Sequence, residues 1–370
     1  MQEHQRTLRT PEELADSGFI ASDQVEGLAQ VAARYAVAIT PAIADLIDPT
    51  DPNDPIARQF VPSELELNST IAEHSDPIGD KRHGKVDGIV HRYPDRVLLK
   101  LCHVCPVYCR FCFRREMVGP GKSQFLSPDA LEAALGYIRA HPEIWEVIMT
   151  GGDPFMLSPR RIADINQRLS VLEHVKVVRW HTRVPVADPA RITNAFVEAL
   201  RGTKATYVAV HVNHPRELSA EARAACAKLA DAGICLLGQS VLLKGVNDDA
   251  ATLEALMRAQ VESRIRPYYL HHPDLAPGTG HFRTGIEQGQ TLVTGLRARA
   301  SGLCQPQYVL DIPGGYAKAP LGPCDAQREG SDWRIRDANG LWHLYNEALP
   351  DSDPRPSSEL PLMLAIEPPI

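Results

Sequence analysis

Cysteines are concentrated in one short segment of the chain. The stretch "CHVCPVYCRFC" (102–112) holds four of the eight cysteines, and Cys105, Cys109 and Cys112 have the spacing Cys-x3-Cys-x2-Cys. In a reducing compartment, such clustered thiols indicate a metal or catalytic site rather than disulfides. Three thiolates can hold a [4Fe–4S] cluster and leave one iron open for a further ligand. Structural zinc, with Cys102 as the fourth ligand, and buried thiols are the alternatives.

The composition narrows the classes of protein to which this chain can belong. It has 370 residues, of which 44% are hydrophobic and 23% charged, as expected for a globular protein with a sizeable core. The net charge of −7, without a long basic run, gives no support to nucleic-acid binding. No apolar stretch approaches the roughly 18 residues that span a bilayer, and no apolar segment follows the N-terminal charges. We therefore expect a cytoplasmic protein that binds neither nucleic acid nor membrane.

Short apolar runs that alternate with amphipathic helical segments predict an α/β fold. Repeated strand–helix units favour a parallel sheet with right-handed crossovers. Closure into a partial (β/α)6 TIM-like barrel is favoured over an open sheet, because no phosphate-binding G-x-G-x-x-G follows the first strand. The predicted strands are residues 97–101, 146–150, 175–180, 206–211, 234–243 and 265–270, with a last candidate at 307–315.

The remaining segments are predicted to flank this barrel. The N-terminal extension is mostly helical and contains three Asp-Pro pairs that favour an extended strap. Near the other end, a β-hairpin is expected to turn at Asn339-Gly340. The predicted boundaries are 1–85 for the N-terminal extension, 86–300 for the barrel, 301–350 for a C-terminal strand, loop and hairpin, and 351–370 for a Pro-rich tail.

A second motif lies directly after the second predicted strand. In "MTGGDPFML", the adjacent Gly151 and Gly152 would let backbone groups approach a ligand closely, and Asp153 could accept a hydrogen bond from a cationic amine. Taken alone, this sequence is typical of an ordinary turn. Loops at the carboxyl ends of parallel strands share one face of the fold, so this turn and the cysteine segment are expected to be neighbours.

The cysteine spacing, with Phe111 before the third cysteine, resembles the signature of the radical S-adenosylmethionine (SAM) superfamily. The resemblance implies a [4Fe–4S] cluster on these three cysteines, whose open iron binds SAM. One electron, from a cytoplasmic electron donor, would then cleave SAM to a 5′-deoxyadenosyl radical. The resemblance also implies that Gly151, Gly152 and Asp153 bind the amino group of the methionine moiety.

A longer series of motifs resembles the lysine 2,3-aminomutase family, over most of the chain from about residue 48 to 345. This resemblance implies that pyridoxal 5′-phosphate (PLP) is bound as well as the cluster and SAM. We also expect a homo-oligomer. The motifs, in chain order, are "HRYPDRVLL", "CRFCFRR", "HVNHP", "LADAGI", "QSVLLKGVND", "RPYYL", "GHFRT" and "VLDIPGG".

The family resemblance assigns roles to individual basic residues. It implies that Lys318 binds PLP covalently, because a lysine after a Gly-Gly turn can reach into a cavity and react with an aldehyde. Arg92 and Arg96 would bind the PLP phosphate, and Arg114 the α-carboxylate of the substrate. Outside such a site, each of these side chains would be a solvated charge or part of a surface ion pair. The resemblance assigns further contacts with SAM to His211 and Gln239.

Two acidic residues indicate the substrate. Carboxylates beside one cavity repel each other unless a cation lies between them. In the family the positions of Asp274 and Asp311 bind the lysine ε-ammonium. The resemblance therefore implies an isomerase that moves the α-amino group of L-lysine, a small-molecule substrate, to the β-carbon and gives β-lysine.

Three alternatives stay open at this point. The substrate could be another cationic amino acid, or the β-lysine could serve the modification of translation elongation factor P, to whose branch "YYLHHPD" looks closer. The chain could also be a non-catalytic Fe–S redox or iron-responsive binding protein.

Some family members carry a zinc site between subunits. In this chain no cysteine follows Cys324, and Asp249 replaces a partner cysteine, so this site is expected to be absent.

Overall fold

The computed structural model describes residues 6–119, 123–330, 332–337 and 340–345. The chain divides into two compact units, Met1–Gly322 and Pro323–Ile370. The predicted tail 351–370 and Asn339 of the predicted hairpin turn lie outside the described residues.

The helices of the N-terminal extension are short, and the first and the last of them begin at a side chain that caps the helix. Thr10 Oγ1 accepts a hydrogen bond from the Glu13 backbone N–H at 3.3 Å, and Pro11 occupies the first helical position. In the Asp-Pro-rich strap, Asp54 caps the last of these helices by accepting from the Ile56 N–H at 2.9 Å. These helices are α1 (Pro11–Asp16), α2 (Val25–Arg34), α3 (Pro41–Ala44) and α4 (Pro55–Phe60).

A curled, nine-stranded sheet forms the centre of the first unit. Its strands lie side by side in chain order: β1 (Ile89–Tyr93), β2 (Arg96–Cys102), β3 (Glu146–Gly151), β4 (Val177–Thr182), β5 (Ala205–His211), β6 (Cys235–Val241), β7 (Ile265–His271), β8 (Gln307–Asp311) and β9 (Lys318–Pro320). Strands β2 to β8 are parallel, which confirms the predicted barrel topology. Within the described residues β9 does not pair back with β1, so the barrel is partial.

Helices connect each parallel strand to the next and cover the outside of the sheet. Five of them begin at a Ser, Thr or Asp side chain that accepts a hydrogen bond from a backbone N–H of the first turn, namely at Ser127, Ser158, Thr193, Ser219 and Asp249. Within the described residues, no helix is both long and apolar enough to cross a membrane. The helices are α5 (Pro128–Ala140), α6 (Pro159–Ser170), α7 (Val184–Ala187), α8 (Asn194–Leu200), α9 (Ala220–Asp231), α10 (Ala250–Glu262) and α11 (Ile286–Arg299).

Sequence reading missed the two antiparallel edge strands, β1 and β9. The motif "HRYPDR" is the tight hairpin between β1 and β2, with Tyr93 paired to Arg96 across the turn. Strand β9 folds back along β8 and pairs Lys318 with Asp311. Both strands are short, so neither shows a long enough alternation of apolar and polar residues to predict a strand. Their pairing brings the predicted PLP lysine beside one of the predicted substrate carboxylates.

The second unit contains a small antiparallel sheet. Its strands are β10 (Ala326–Glu329), β11 (Asp332–Arg336) and β12 (Trp342–Tyr345), in that order across the sheet. Strands β11 and β12 are the predicted hairpin, with Arg336 paired to Trp342. Gly340, in the turn, has a φ of +86°, a conformation that favours glycine.

The N-terminal extension is fixed to the cysteine segment through the buried carboxylate of Glu66. Arg110 donates to this carboxylate from Nε at 2.9 Å and from Nη2 at 2.6 Å, and Arg115 donates to it as well. Burial alone would raise the pKa of Glu66, but the two guanidinium charges outweigh it and hold that pKa below its usual range. One carboxylate of the extension therefore balances two arginines that flank the last cysteine of the motif.

We predict that Glu66→Gln destabilises the protein by about 3 to 5 kcal/mol, because it leaves two buried guanidinium groups without a countercharge. The measurement is the free energy of unfolding in urea. Glu64→Gln, an exposed glutamate in the same turn, is the matched control and should change stability by less than about 0.5 kcal/mol. Equal stabilities of the Glu66 and Glu64 variants would contradict the proposed role of Glu66 as the countercharge of Arg110 and Arg115.

Candidate active site

The cysteine segment follows β2 at the carboxyl end of the barrel and is held from two sides. On one side the turn after β3 binds its backbone: the Gly152 N–H donates to Cys102 O at 2.6 Å and the Asp153 N–H to Val104 O at 2.8 Å. On the other side the Arg110 N–H donates to Gln59 O of the N-terminal extension at 2.8 Å. Residues 103–112 lie in neither a helix nor a strand, so these contacts fix their course.

The two glycines of the "GGD" turn are required by this close approach. A Cβ atom on Gly151 would lie 2.3 Å from Cys102 O, and one on Gly152 would lie 2.3 Å from Val104 O. Gly151 also has a φ of +120°, which disfavours other residues. These glycines thus serve the packing of the cysteine segment in addition to any approach to a ligand.

The three motif cysteines lie on the wall of one large cavity. Burial raises the pKa of all three thiols, to about 11 for Cys112. Arg183, at the end of β4, donates from Nη1 to the Cys109 sulfur at 3.2 Å. Thiols in this setting become thiolates when a metal displaces their protons, and a guanidinium beside the sulfur stabilises that charge.

Cys102 is turned away from this group of thiols. It is fully buried, and its sulfur lies 3.2 Å from Asp153 O and 3.7 Å from Val104 O. Burial raises its pKa to about 12, and the charge of Asp153 adds to this. The thiol donates to backbone carbonyl groups, which argues against the zinc alternative in which it would be a fourth ligand. Among the described residues, no three His, Cys, Asp or Glu side chains converge as the ligands of a single metal ion.

The cavity has a volume of about 720 Å³ and runs through the inside of the partial barrel. Every residue that the sequence predicts for the site lines it, although these residues come from seven strands and the loops between them. They are Arg92, Arg96, Cys105, Cys109, Cys112, Arg114, Gly151, Gly152, Asp153, His211, Gln239, Asp274, Asp311 and Lys318.

Asp153 uses both carboxylate oxygens within the protein. Oδ1 accepts from the Thr182 hydroxyl at 2.7 Å and from the Phe155 N–H at 3.0 Å, and Oδ2 accepts from the Arg183 N–H at 2.7 Å. Burial raises the pKa of this carboxyl group despite these bonds. The side chain therefore ties the turn after β3 to the end of β4, and its predicted contact with SAM stays a prediction.

His211 and Gln239 are direct neighbours, since they pair across β5 and β6. Phe111, the aromatic residue of the cysteine motif, stacks on the His211 ring with centroids 5.7 Å apart. Asn213 Nδ2 donates to His211 Nε2 at 3.2 Å. Burial lowers the pKa of His211 well below its usual range, so the ring is neutral at neutral pH. The arrangement offers a polar contact and a flat apolar surface directly beside the cysteines.

Arg114 is oriented by a residue that sequence reading missed. Its Nε and Nη2 donate to Asp80 Oδ2 at 3.0 and 2.9 Å, and its Nη1 donates to the Thr150 hydroxyl at 3.0 Å. These contacts use three of the five guanidinium N–H donors and leave one on Nη1 and one on Nη2 for a ligand carboxylate. Asp80 also lies 3.8 Å from Arg92 Nη2, which places Arg92 among the acidic residues of the site.

The two predicted phosphate residues occupy different parts of the cavity. Arg92 donates from Nη1 to Asp311 at 3.3 Å and from Nη2 to Ile78 O. Arg96 lies at the start of β2, where it pairs with Asp95 at 2.7 Å and stacks on the Tyr93 ring. Their role as phosphate ligands stays a prediction.

Lys318 extends into the cavity from β9. Its backbone N–H donates to the Tyr93 hydroxyl at 2.9 Å, which fixes the strand, and its Nζ contacts Asp311 Oδ2. The same Nζ lies 3.4 Å from His271 Nδ1 and 5.2 Å from the centre of the Tyr269 ring. The amine thus lies among a carboxylate, an imidazole and an aromatic face.

The two predicted substrate carboxyl groups differ in ionisation. Burial and then the charge of Asp311 raise the pKa of Asp274 to about 7. Burial also opposes ionisation of Asp311, but the contacts with His271 and Lys318 outweigh it and lower its pKa. Among the described residues, Asp274 has no hydrogen-bond or ion-pair partner, so the site holds one unpaired acidic group beside one paired carboxylate.

A loop over the mouth of the barrel, residues 76–83, connects these parts of the site. Besides Asp80, it contributes Gly79, which packs so closely on the Gly314–Gly315 turn that a Cβ would lie 2.7 Å from its backbone. His83 Nε2 lies 2.7 Å from Gly315 O. The sequence "DPIGDK" carries no motif that would have indicated this contact, because its partners are far away along the chain.

The polar atoms on the cavity wall that have no partner show whether the predicted cofactors fit the cavity. Among the described residues, His181 Nε2 and Arg92 Nε are buried and have no hydrogen-bond partner. Buried polar atoms are nearly always paired, so such atoms indicate a place for a bound molecule. Three thiols, a lysine amine and several arginines around one cavity are donors that suit an iron–sulfur cluster and an anionic aldehyde cofactor.

Comparisons with known proteins show the family to which the chain belongs. Residues 99–256 match the family model of the radical SAM superfamily. An L-lysine 2,3-aminomutase from Clostridium subterminale is 39% identical over 343 residues, which are 92% of this chain and 82% of that protein. One from Acetoanaerobium sticklandii is 40% identical over 85% of this chain and 76% of that protein. A glutamate 2,3-aminomutase from Clostridioides difficile is 35% identical over 85% of this chain and 74% of that protein.

The partial barrel with its three-cysteine segment is thus that of a radical SAM protein, a class that uses a [4Fe–4S] cluster and SAM. More closely, the chain belongs to the lysine 2,3-aminomutase family, whose named members are isomerases.

We predict that Asp274→Asn raises the melting temperature at pH 8 by roughly 2 to 4 °C and has a smaller effect at pH 5. The folded pKa of Asp274, about 7, lies above the unfolded value near 3.9. Stability is therefore lost as the pH rises from about 4 to 7. Thermal unfolding of the ligand-free protein at both pH values is the measurement.

Asp311→Asn is the control, because the pKa of Asp311 is shifted down and its substitution removes the partner of Lys318. This variant should be less stable than the wild type at both pH values. A shift for Asp274→Asn that is the same at pH 5 and pH 8 would contradict the raised pKa.

Proposed function

We propose that this chain is a PLP-dependent radical SAM aminomutase that converts L-lysine into β-lysine. The observation that carries the proposal is the shared cavity, in which a three-cysteine segment, a lysine amine and two acidic side chains face one another. Family membership limits the chemistry to that of the 2,3-aminomutases. The charges of the cavity select the substrate within that family.

The residues have the following roles in the proposal. Cys105, Cys109 and Cys112 hold the cluster, and the amine of Lys318 holds PLP. When bound, the cluster and SAM supply a radical that removes hydrogen from the β-carbon, and PLP supplies a π-system that stabilises the radical during nitrogen migration. The remaining contacts are with SAM, by Gly151, Gly152, Asp153, His211 and Gln239, and with the PLP phosphate, by Arg92 and Arg96.

The acidic pair favours a cationic substrate side chain. Asp274 and Asp311 lie beside the cavity, and a second ammonium ion near them would relieve their mutual repulsion, which is one cause of the raised pKa of Asp274. A glutamate side chain would add a third carboxylate at the same place. Arg114, held by Asp80 and Thr150, is suited to bind the α-carboxylate with the remaining N–H donors of Nη1 and Nη2.

Burial of the site suits radical chemistry. His211 and His181 are neutral because burial lowers the pKa of each ring well below its usual range. Neutral rings add no further positive charge beside the cysteines or Lys318. A site that excludes water also limits side reactions of a reactive intermediate.

Turnover assays test the proposal. We expect the reconstituted enzyme, with SAM and a reductant, to form β-lysine from L-lysine and to leave L-glutamate unchanged. Asp274→Asn should lower kcat/KM for lysine by roughly 30-fold or more, because it removes a buried countercharge of the substrate. Asp164→Asn, an exposed aspartate on α6, should keep the wild-type value. Turnover of ornithine or arginine but not lysine would move the proposal to another cationic amino acid, and no turnover at all would contradict it.

A second experiment tests the assignment of the PLP residue. Lys318→Ala should abolish the visible absorbance of covalently bound PLP and leave the iron content unchanged, since the cysteines lie on other elements. Lys176→Ala, an exposed lysine before β4, should retain both signals. If the absorbance persists in the Lys318 variant, another lysine binds PLP.

A further inference from the structure

His271, the last residue of β7, lies against the amine of Lys318. Its Nδ1 is 3.4 Å from Lys318 Nζ and 3.6 Å from Asp311 Oδ2, and Nζ also contacts that oxygen. The imidazole side chain is 19% exposed, so bulk water has limited access to the amine from this side. Any proton that leaves Nζ within the site has these two groups as its nearest acceptors.

The surroundings of His271 keep its ring neutral. Burial and then the charge of Lys318 lower its pKa, and only Asp311 acts in the opposite direction. The ammonium group of Lys318 can only donate, so Nδ1 accepts from it in the tautomer whose ring proton is on Nε2. The titratable groups that face this ring are Lys318 on β9, Asp311 on β8, His181 on β4, His211 on β5, and Tyr269 on β7, whose ring centre is 5.5 Å away.

His271 is the better base of the two acceptors. The carboxylate of Asp311 has a pKa below its usual range and is therefore a weak proton acceptor. A proton acceptor works best when its pKa is near the working pH. The pKa of an imidazole is much closer to neutral pH than that of a carboxylate. Asp311 thus stabilises the ammonium form of Lys318, whereas His271 can take the proton from it.

We propose that His271 is the catalytic base that converts the Lys318 ammonium into the free amine before the amine reacts with its aldehyde cofactor. The inference rests on the proposed function, since it assumes that Lys318 is the PLP residue. The proton passes from Nζ to Nδ1, and the nitrogen lone pair then forms a bond to the aldehyde carbon. The carbonyl oxygen takes back the proton from His271 and a second proton from the nitrogen, and leaves as water. A protonated C=N bond thus replaces the C=O bond without oxidation or reduction.

The neighbouring His272 provides a matched control within the same sequence. Its Nδ1 pairs with the Tyr308 hydroxyl at 2.8 Å, away from Lys318. It does not line the cavity. The two histidines are adjacent in the chain and chemically identical, and only one of them contacts the amine.

The test measures how fast the full chain, with its cluster in place and freed of PLP, binds added PLP covalently. The growth of visible absorbance after stopped-flow mixing at pH 7.5 gives this rate. We expect His271→Gln to slow it about 100-fold, the usual effect of losing a general base, and His272→Gln to stay within about twofold of the wild type. His271→Asn is a second variant for the case that the glutamine variant does not fold.

Imidazole in the buffer distinguishes a base from a structural support. It should partly restore the rate of the His271 variants. In the wild type, the rate should fall as the pH is lowered through the pKa of His271, and in the variants it should not. A wild-type rate in folded His271→Gln, or a slow rate that imidazole does not change, would overturn the inference and leave the proposed function in place. If the wild type binds no PLP covalently at all, the PLP assignment itself is wrong.

Discussion

The carboxylate of Glu66 ties the cysteine segment to the N-terminal extension through two arginines. Arg110 lies inside the three-cysteine motif, and Arg115 lies three residues after its last cysteine. Two guanidinium groups at such depth would repel each other and pull the segment towards water if no carboxylate lay between them. Because that carboxylate belongs to the N-terminal extension, the extension is part of the active-site scaffold and not an appendage to the barrel.

The same principle of charge balance governs the other end of the cavity. Asp80 orients Arg114, Asp311 holds the amine of Lys318, and Asp274 is left with its negative charge suppressed. The neighbours of these groups set their orientation and their charge. A ligand with an ammonium and a carboxylate group can therefore pair with an acidic group and with Arg114. A structure that paired every charge internally would be more stable and would have less capacity to bind.

The sequence allowed the barrel, its parallel strands and a set of residues that line the cavity to be predicted, because parallel strands present their carboxyl ends at one edge and family motifs mark the loops there. It did not allow the partners within the site to be predicted. Asp80 and His271 act through contacts with residues far away in sequence, and no local pattern distinguishes them from ordinary loop or strand-end residues. The edge strand β9, which gives Lys318 its position, was missed because three residues are too few to show an alternating pattern.

The mouth loop has a consequence for how the protein folds. His83 and Gly315 are 232 positions apart, and Gly79 packs against the turn that leads to Lys318. Contacts of such long sequence separation carry a large entropic cost of loop closure and tend to form late. The barrel strands can therefore assemble before the lysine loop is locked. The active site would then be completed late in folding, when the mouth loop and the Gly314–Gly315 turn meet.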